Sequence, residues 1–342
     1  MRMLRSIVRA LVALIGTIFV LAAAGAAYEA IAARDDAERY PPPGRLVDVG
    51  GHRLHIRCVG SGSPTVVLAA GSGAFSAEWG AVQPRLAATA RVCSFDRAGL
   101  GWSDPGARPR TPDRIATELH RLLSTAGEEG PYLLVAHSAG GKHARLFAAA
   151  HRREVAGMVL IDARHEYVDE HRTRPQIAAE AAGSRRFRQI VAVAGRLGVV
   201  RPLWASAWPS FVPGSVNLTP ATRTVIGVLQ ARPSQVGTTL DEDGAAFESN
   251  VRLHARSAAG SLGDMPLGVL AAGQTTESDP TWARAQRLQQ RLSSRGELTV
   301  VSGAAHALHL ERPDLVIEAV RRVLRRARAT PSPSSRISAA RA

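Results

Sequence analysis

The chain has 342 residues, 43 Lys+Arg against 29 Asp+Glu, a formal net charge of +14, and 45% hydrophobic but only 5% aromatic residues. That length is ample for a large core without disulfide staples, and the composition excludes a mostly disordered chain and a polytopic membrane protein. The charge invites a nucleic-acid reading, which its distribution removes: Arg2, Arg5 and Arg9 give +3 at one end, residues 321–342 give +7 without a single acid, and the remainder carries +4 with no basic-aromatic module. Lys142 is the sole lysine among the 43 basic residues. So complete an Arg bias, beside abundant Ala, points to GC-rich coding rather than to a phosphate-binding surface.

In chain order, residues 1–9 are basic and Leu11 to Ala27 are free of charge. With Ile7 and Val8 this run approaches the ~20 residues that cross a bilayer. The three arginines favour the cytoplasmic side, which places everything after Glu29 across the membrane. Residues 1–29 are therefore expected to be a signal anchor, or, since Ala24-Gly25-Ala26 offers small residues to a peptidase, a signal peptide whose cleavage secretes the protein. Residues 30–44, ending in Tyr40-Pro41-Pro42-Pro43-Gly44, read as a linker. Cys58 and Cys93 are the only cysteines. Outside the cytoplasm they can pair, or they are two small buried residues; two cysteines alone make no zinc site.

After the linker, Arg45–Val49 and His52–Val59 alternate around Gly50-Gly51, predicting a β-hairpin. Strands are predicted at Thr65–Ala69, Arg91–Phe95, Tyr132–Ala136, Val155–Ile161, Leu267–Ala271 and Glu297–Val301. Helices are predicted at Trp79–Ala88, from Pro112 to Thr125 with Thr111 as N-cap, and at Ala139–Ala150, Thr281–Ser293 and Pro313–Ala327. The last of these carries Val316, Val320, Val323 and Leu324 on one face and clustered arginines at its end, read as a solvated helix terminus or a lipid-surface contact. The rhythm breaks between residues 163 and 264, which read as an inserted helical cap between core segments 45–162 and 265–329. Residues 330–342 are Ser/Pro/Ala/Arg-rich and expected to be disordered. Alternating strands and helices predict a mostly parallel α/β sheet, with its site at the carboxyl ends of the strands.

The sharpest motif is Ala136-His137-Ser138-Ala139-Gly140, set between a strand and a helix. Small residues at 136 and 140 let the two backbones meet in a tight turn that lifts the Ser138 hydroxyl from the sheet to a helix N-terminus. On this motif and on Asp96-Arg97-Ala98-Gly99-Leu100-Gly101-Trp102-Ser103, residues 45–327 resemble the alpha/beta-hydrolase family. The resemblance implies an eight-stranded, mostly parallel sheet, a Ser138 nucleophile, and an Asp96–Ser103 loop that shapes the floor beside the site. It also implies neighbouring second and fourth strands, which would put Cys58 beside Cys93.

Family order puts the general base after the last strand, where His306 fits the pattern ending at Pro313 and His309 reads as a supporting or surface residue. His137 is expected to serve packing or loop hydrogen bonding. The acid has two candidate positions. Asp162 ends the strand after the nucleophile helix; Glu277 and Asp279 follow, by one and three residues, the expected slot in the later loop, which Thr276 occupies. Asp162 is preferred, and the loser is expected to cap its loop. The oxyanion hole is expected from the backbone amides of Ala139 and Ser72. The sequence thus reads as a serine hydrolase, first a carboxylic ester hydrolase with a small-molecule acyl substrate, no metal or organic cofactor, no nucleic-acid partner, and a membrane contact through its N-terminal segment. Amidase, lactonase, peptidase or cofactor-free haloperoxidase chemistry on the same core is the alternative, as is a non-catalytic ligand-binding protein of this fold.

Overall fold

The computed structural model describes residues 2–170, 193–201, 212–248 and 260–329, with isolated positions between 183 and 210. The tail at 330–342 and much of the segment read as a cap lie outside the described residues. Helix α1 (Arg2–Arg39) contains the apolar run. Among the described residues it is the one helix long and apolar enough to cross a membrane, by length and composition. Its second half is rich in Ala, Glu and Arg, which favour helix. It stops just before Pro41-Pro42-Pro43, which lack the amide protons a helix needs. The segment expected as a linker is thus helical through Arg39, and only 40–44 is irregular.

Strands β1 (Arg45–Asp48), β2 (Arg53–Val59), β3 (Thr65–Ala69), β4 (Val92–Phe95), β5 (Tyr132–His137), β6 (Val155–Ile161), β7 (Leu267–Ala272) and β8 (Gly296–Val301) form one sheet of order β1-β2-β4-β3-β5-β6-β7-β8. The pairs β1–β2 and β2–β4 are antiparallel and the others parallel. Side chains alternate between two cores: Leu134 and Ala136 face one, Leu133 and Val135 the other. The register aligns Ala69 with Ala136, His137 with Ile161, and Ala272 with Val301. The loops after β3, β5, β6, β7 and β8 therefore leave the sheet along one edge. Cys58 and Cys93 are direct partners on β2 and β4 and form a disulfide.

Helix α2 (Gln83–Ala87) follows a 3₁₀ turn at Ser76–Ala81, so the helix expected over Trp79–Ala88 is split. Pro84 explains the break, since it belongs in the first turn of a helix and not in its interior. Helices α3 (Pro112–Thr125) and α4 (Gly140–Ala150) stand as expected, and the Thr111 side chain accepts the Arg114 amide at the start of α3. Between β6 and β7 lie α5 (Glu166–Glu170), α6 (Pro220–Gln230) and α7 (Pro233–Glu248). Leu218, Ile226 and Leu229 pack on Phe75, Leu100 and Leu310, seating these extra helices over the carboxyl edge. Helices α8 (Gly273–Ser278), α9 (Pro280–Gln290), α10 (Leu308–Glu311) and α11 (Pro313–Arg328) complete the chain. The apolar face of α11 is buried in the core, and its arginines end the helix.

Candidate active site

Ser138 sits between β5 and α4 with φ of 50°, a left-handed conformation that is costly for a side chain with a Cβ. The surrounding backbone holds it there. Its amide donates to Ile161 O at 3.1 Å, and its carbonyl accepts from Gly141 N at 3.1 Å and Arg164 N at 3.0 Å. The small residues of the motif are explained by contact: a Cβ on Gly140 would lie 2.7 Å from Ala69 O, and Ala136 is fully buried.

The loop after β8 brings His306 Nε2 to 2.9 Å from Ser138 Oγ, and His306 Nδ1 to 2.6 Å from Asp162 Oδ2. Asp162 follows β6, is completely buried, and has φ of 38°. Its Oδ1 accepts from the Ala272 amide at 3.0 Å and from Trp282 Nε1 at 2.9 Å, while Oδ2 also accepts the Thr275 hydroxyl at 2.9 Å. Burial pushes the Asp162 carboxyl up, but the His306 and Trp282 hydrogen bonds, the His306 charge and the Ala272 amide together hold it below its ordinary value. An ionised Asp162 can only accept, so His306 Nδ1 carries the proton and Nε2 is free to accept from Ser138. Of the other acid candidates, Asp279 caps α9 by accepting Thr281 N and Trp282 N, and Glu277 is exposed on α8. Neither meets His306 in the described hydrogen bonds. The loop expected at 273–278 is helical, and Thr276 turns its hydroxyl onto the Ala272 carbonyl.

The loop after β3 packs directly on this turn; a Cβ on Gly71 would stand 3.1 Å from Ser138 Cβ. Arg97 fixes its backbone. Its Nη1 donates to Ala70 O at 2.9 Å and its Nη2 to Gly71 O at 2.8 Å. In a trans peptide the N–H opposes the C=O, so with the Gly71 carbonyl on Arg97 the Ser72 amide is turned away from the guanidinium. The Ser72 hydroxyl donates to Asp243 on α7 at 2.7 Å. Arg97 in turn is buried against Glu242 of α7 at 2.9 Å.

The model of the alpha/beta hydrolase family matches residues 66–319, three quarters of the chain, within the fold and around the residues just described. The chain belongs to the alpha/beta hydrolase family. Against solved structures this hydrolase superposes on an esterase from Thermogutta terrifontis with a TM-score of 0.62 at 22% identity, covering 83% of this chain and 98% of that one. It matches the enol-lactonase of Burkholderia xenovorans LB400 with a TM-score of 0.60 at 18% identity, covering 82% and 99%. At such identities the likeness is one of fold. A Hormonema carpetanum protein bearing a transporter name is 36% identical over 130 residues, 36% of this chain and 19% of that protein. An uncharacterised Schizosaccharomyces pombe protein is 29% identical over 231 residues, 67% of this chain and 40% of that protein. The 2-hydroxy-6-oxononadienedioate/2-hydroxy-6-oxononatrienedioate hydrolase 2 of Pseudomonas putida is 37% identical over 114 residues, 32% of this chain and 40% of that protein. The hydrolase thus spans under half the length of the curated relatives it matches.

Ser138 and His306 open into a cavity of about 700 Å³ walled by Phe187, Val200, Trp204, Val236 and Leu240, with Glu78, His309 and Gln230 also on its lining. His309, expected as a supporting or surface residue, is buried; its ring lies 4.8 Å from Trp79 and 4.3 Å from His137, and its Nε2 is 3.4 Å from Glu78 Oε2. Burial first, then the neighbouring His306, pushes His309 down to about 3, so it stays neutral. His137 Nε2 donates to the His306 carbonyl at 3.0 Å, a loop hydrogen bond that holds the base's own backbone. Burial, His309 and His306 keep His137 neutral too. Glu78 was not singled out by its sequence context. Burial pushes its carboxyl up to about 7 against a Gln230 hydrogen bond at 3.0 Å and the Arg97 charge.

Among the described residues, two clusters away from Ser138 contain metal-ligand residue types. Cys58 and Cys93 lie near Glu128 but are consumed by the disulfide. His120 and His151 adjoin Glu154, yet their rings stack at 3.7 Å within 3° of parallel. Parallel planes share no point, so one ion cannot lie in the plane of both imidazoles, as good coordination requires.

Proposed function

We propose that this alpha/beta hydrolase is a serine hydrolase of carboxylic esters. Ser138 Oγ attacks the acyl carbon while His306 Nε2 takes its proton, and Asp162 holds the imidazole and stabilises the imidazolium. The amides of Ser72 and Ala139 receive the charge that forms on the carbonyl oxygen. Collapse of the tetrahedral intermediate passes the His306 proton to the departing alkoxide and leaves an acyl-Ser138 ester. Water then attacks that ester with His306 as base, and Ser138 recovers its proton as the acid departs.

The observation that carries this reading is the unbroken hydrogen-bonded line from Ser138 Oγ through His306 to Asp162, at 2.9 and 2.6 Å. Family resemblance supports it from another side. Epoxide hydrolases and dehalogenases of similar core need a carboxylate where Ser138 stands. The cavity's apolar wall supports an acyl group of some bulk. The three N-terminal arginines and the Cys58–Cys93 disulfide support α1 as a membrane segment with the catalytic domain outside the cytoplasm.

Steady-state hydrolysis of p-nitrophenyl esters of increasing chain length tests the proposal. Ser138→Ala should lower kcat by about 10⁴ or more with the fold unchanged by circular dichroism. Turnover within tenfold of wild type in that variant would sink it.

A further inference from the structure

Helix α1 is fastened to the rest of the molecule along one stripe. Ala22, Gly25, Glu29, Ala32, Ala33 and Asp36 are its part-buried positions, spaced as one face of a helix. Gly25 approaches so closely that a Cβ there would stand 2.2 Å from Leu197 O, and a Cβ on Gly198 would stand 2.5 Å from the Tyr28 ring. Arg201, itself buried, donates to Glu29 at 2.6 Å and pairs with Asp36. Trp102 Nε1 donates to Tyr40 O at 2.8 Å where the helix ends.

Ala22 and Gly25 belong to the uncharged run Leu11–Ala27. With α1 read as the membrane segment, the Gly25 contact holds the stretch around Leu197 at the level where that run would meet water. The same stretch of chain lines the active-site cavity through Phe187, Val200 and Trp204. It also exposes Phe187, Ile190 and Val193, spaced by three and 57%, 66% and 57% accessible. Arg186 and Arg196 lie exposed beside them. Large apolar side chains flanked by arginine are the composition of a segment lying in the headgroup layer.

We propose that Ile190 and Val193 sit in the interfacial layer of the bilayer that holds α1, and that the Ser138 cavity takes bilayer-resident amphiphilic esters with a long acyl chain. The bilayer is the occupant because the α1 contacts fix this apolar surface beside a membrane-length apolar helix. The inference rests on the membrane reading of α1 and on the ester reading of Ser138. It goes beyond them in naming where the substrate comes from.

The test uses the full chain reconstituted into phosphatidylcholine/phosphatidylglycerol vesicles carrying brominated acyl chains, with tryptophan emission read against the unsubstituted protein. Phe19→Trp should be quenched by bromine deep in the chains, and Ile190→Trp by bromine near the headgroups. In parallel, the double variant Ile190→Glu/Val193→Glu should hydrolyse p-nitrophenyl acetate within twofold of wild type. On a long-chain ester carried in vesicles it should lose at least tenfold. Unquenched Phe19→Trp would overturn the inference by removing α1 from the bilayer. Quenched Phe19→Trp with unquenched Ile190→Trp would leave the anchor standing and overturn the interfacial surface. So would a double variant that turns a dimer into a monomer by sedimentation, which would give the face to a second copy. Equal turnover of the vesicle ester by variant and wild type would overturn delivery from the bilayer. Wild type inert on every ester would retire the substrate class through the Ser138 reading, while the quenching still reads the surface.

Discussion

Asp162 accepts on both carboxylate oxygens, two partners on each, and is wholly out of water. It was legible in the sequence because a charged residue ending an apolar strand must lie at the sheet's edge. Its preference over Glu277 and Asp279 needed the three-dimensional path of the later loop. Asp162→Asn should cost about 10²–10⁴ in kcat, whereas Glu277→Gln should stay near wild type; the reverse ranking in steady-state kinetics would move the acid to α8. Glu78 was not legible, because its partners Gln230 and His309 lie 152 and 231 residues away along the chain. Its carboxyl is raised in the fold to about 7 from an ordinary 4.5, so the folded state binds that proton more tightly. The contribution is whole below about 4.5 and is lost as pH rises to about 7, on the order of 3 kcal/mol. Glu78→Gln should flatten the fall in stability between pH 5 and 7 in urea titrations; an unchanged slope would refute the assignment.

At the scale of elements, the strand and helix rhythm was readable wherever apolar residues kept a period. Strands β3, β5, β6 and β7 are continuous apolar runs because both their faces are buried. Helix α8 escaped because Gly273-Gln274-Thr275-Thr276-Glu277-Ser278 has no apolar stripe. It forms where hydroxyls turn back on the Ala272 and Gly273 carbonyls. The tie between the β3 loop and α7 escaped as well. Arg97 was visible only as part of a floor-shaping loop, yet it anchors the Ala70 and Gly71 carbonyls and meets Glu242 across 145 residues of chain. If Arg97 orients the Ser72 amide, Arg97→Gln should lower kcat by about 10²–10³ and leave KM within a few-fold. A change in KM alone would make it a binding or packing residue.

For the whole molecule, the net charge of +14 separates into three arginines ahead of the apolar run, seven across residues 321–342, and +4 over the remainder. The single lysine proves to be a buried ion-pair partner of Asp169 at 2.7 Å, joining α4 to α5. The disulfide closes a loop of 35 residues between two paired strands. Its loss should remove about 4 kcal/mol by restoring freedom to the unfolded chain. Chemical unfolding of Cys58→Ala/Cys93→Ala against the oxidised parent measures this directly; equal midpoints would assign the bridge no role in stability.

The claim that all of this serves is that Ser138 is an activated nucleophile. Intact-mass analysis after exposure to a fluorophosphonate tests it most directly. Wild type should gain one phosphonyl group per chain, mapped to Ser138, while Ser138→Ala gains none and His306→Ala labels far more slowly. An unlabelled wild type, or a Ser138→Ala chain that labels as fast as its parent, would contradict the account.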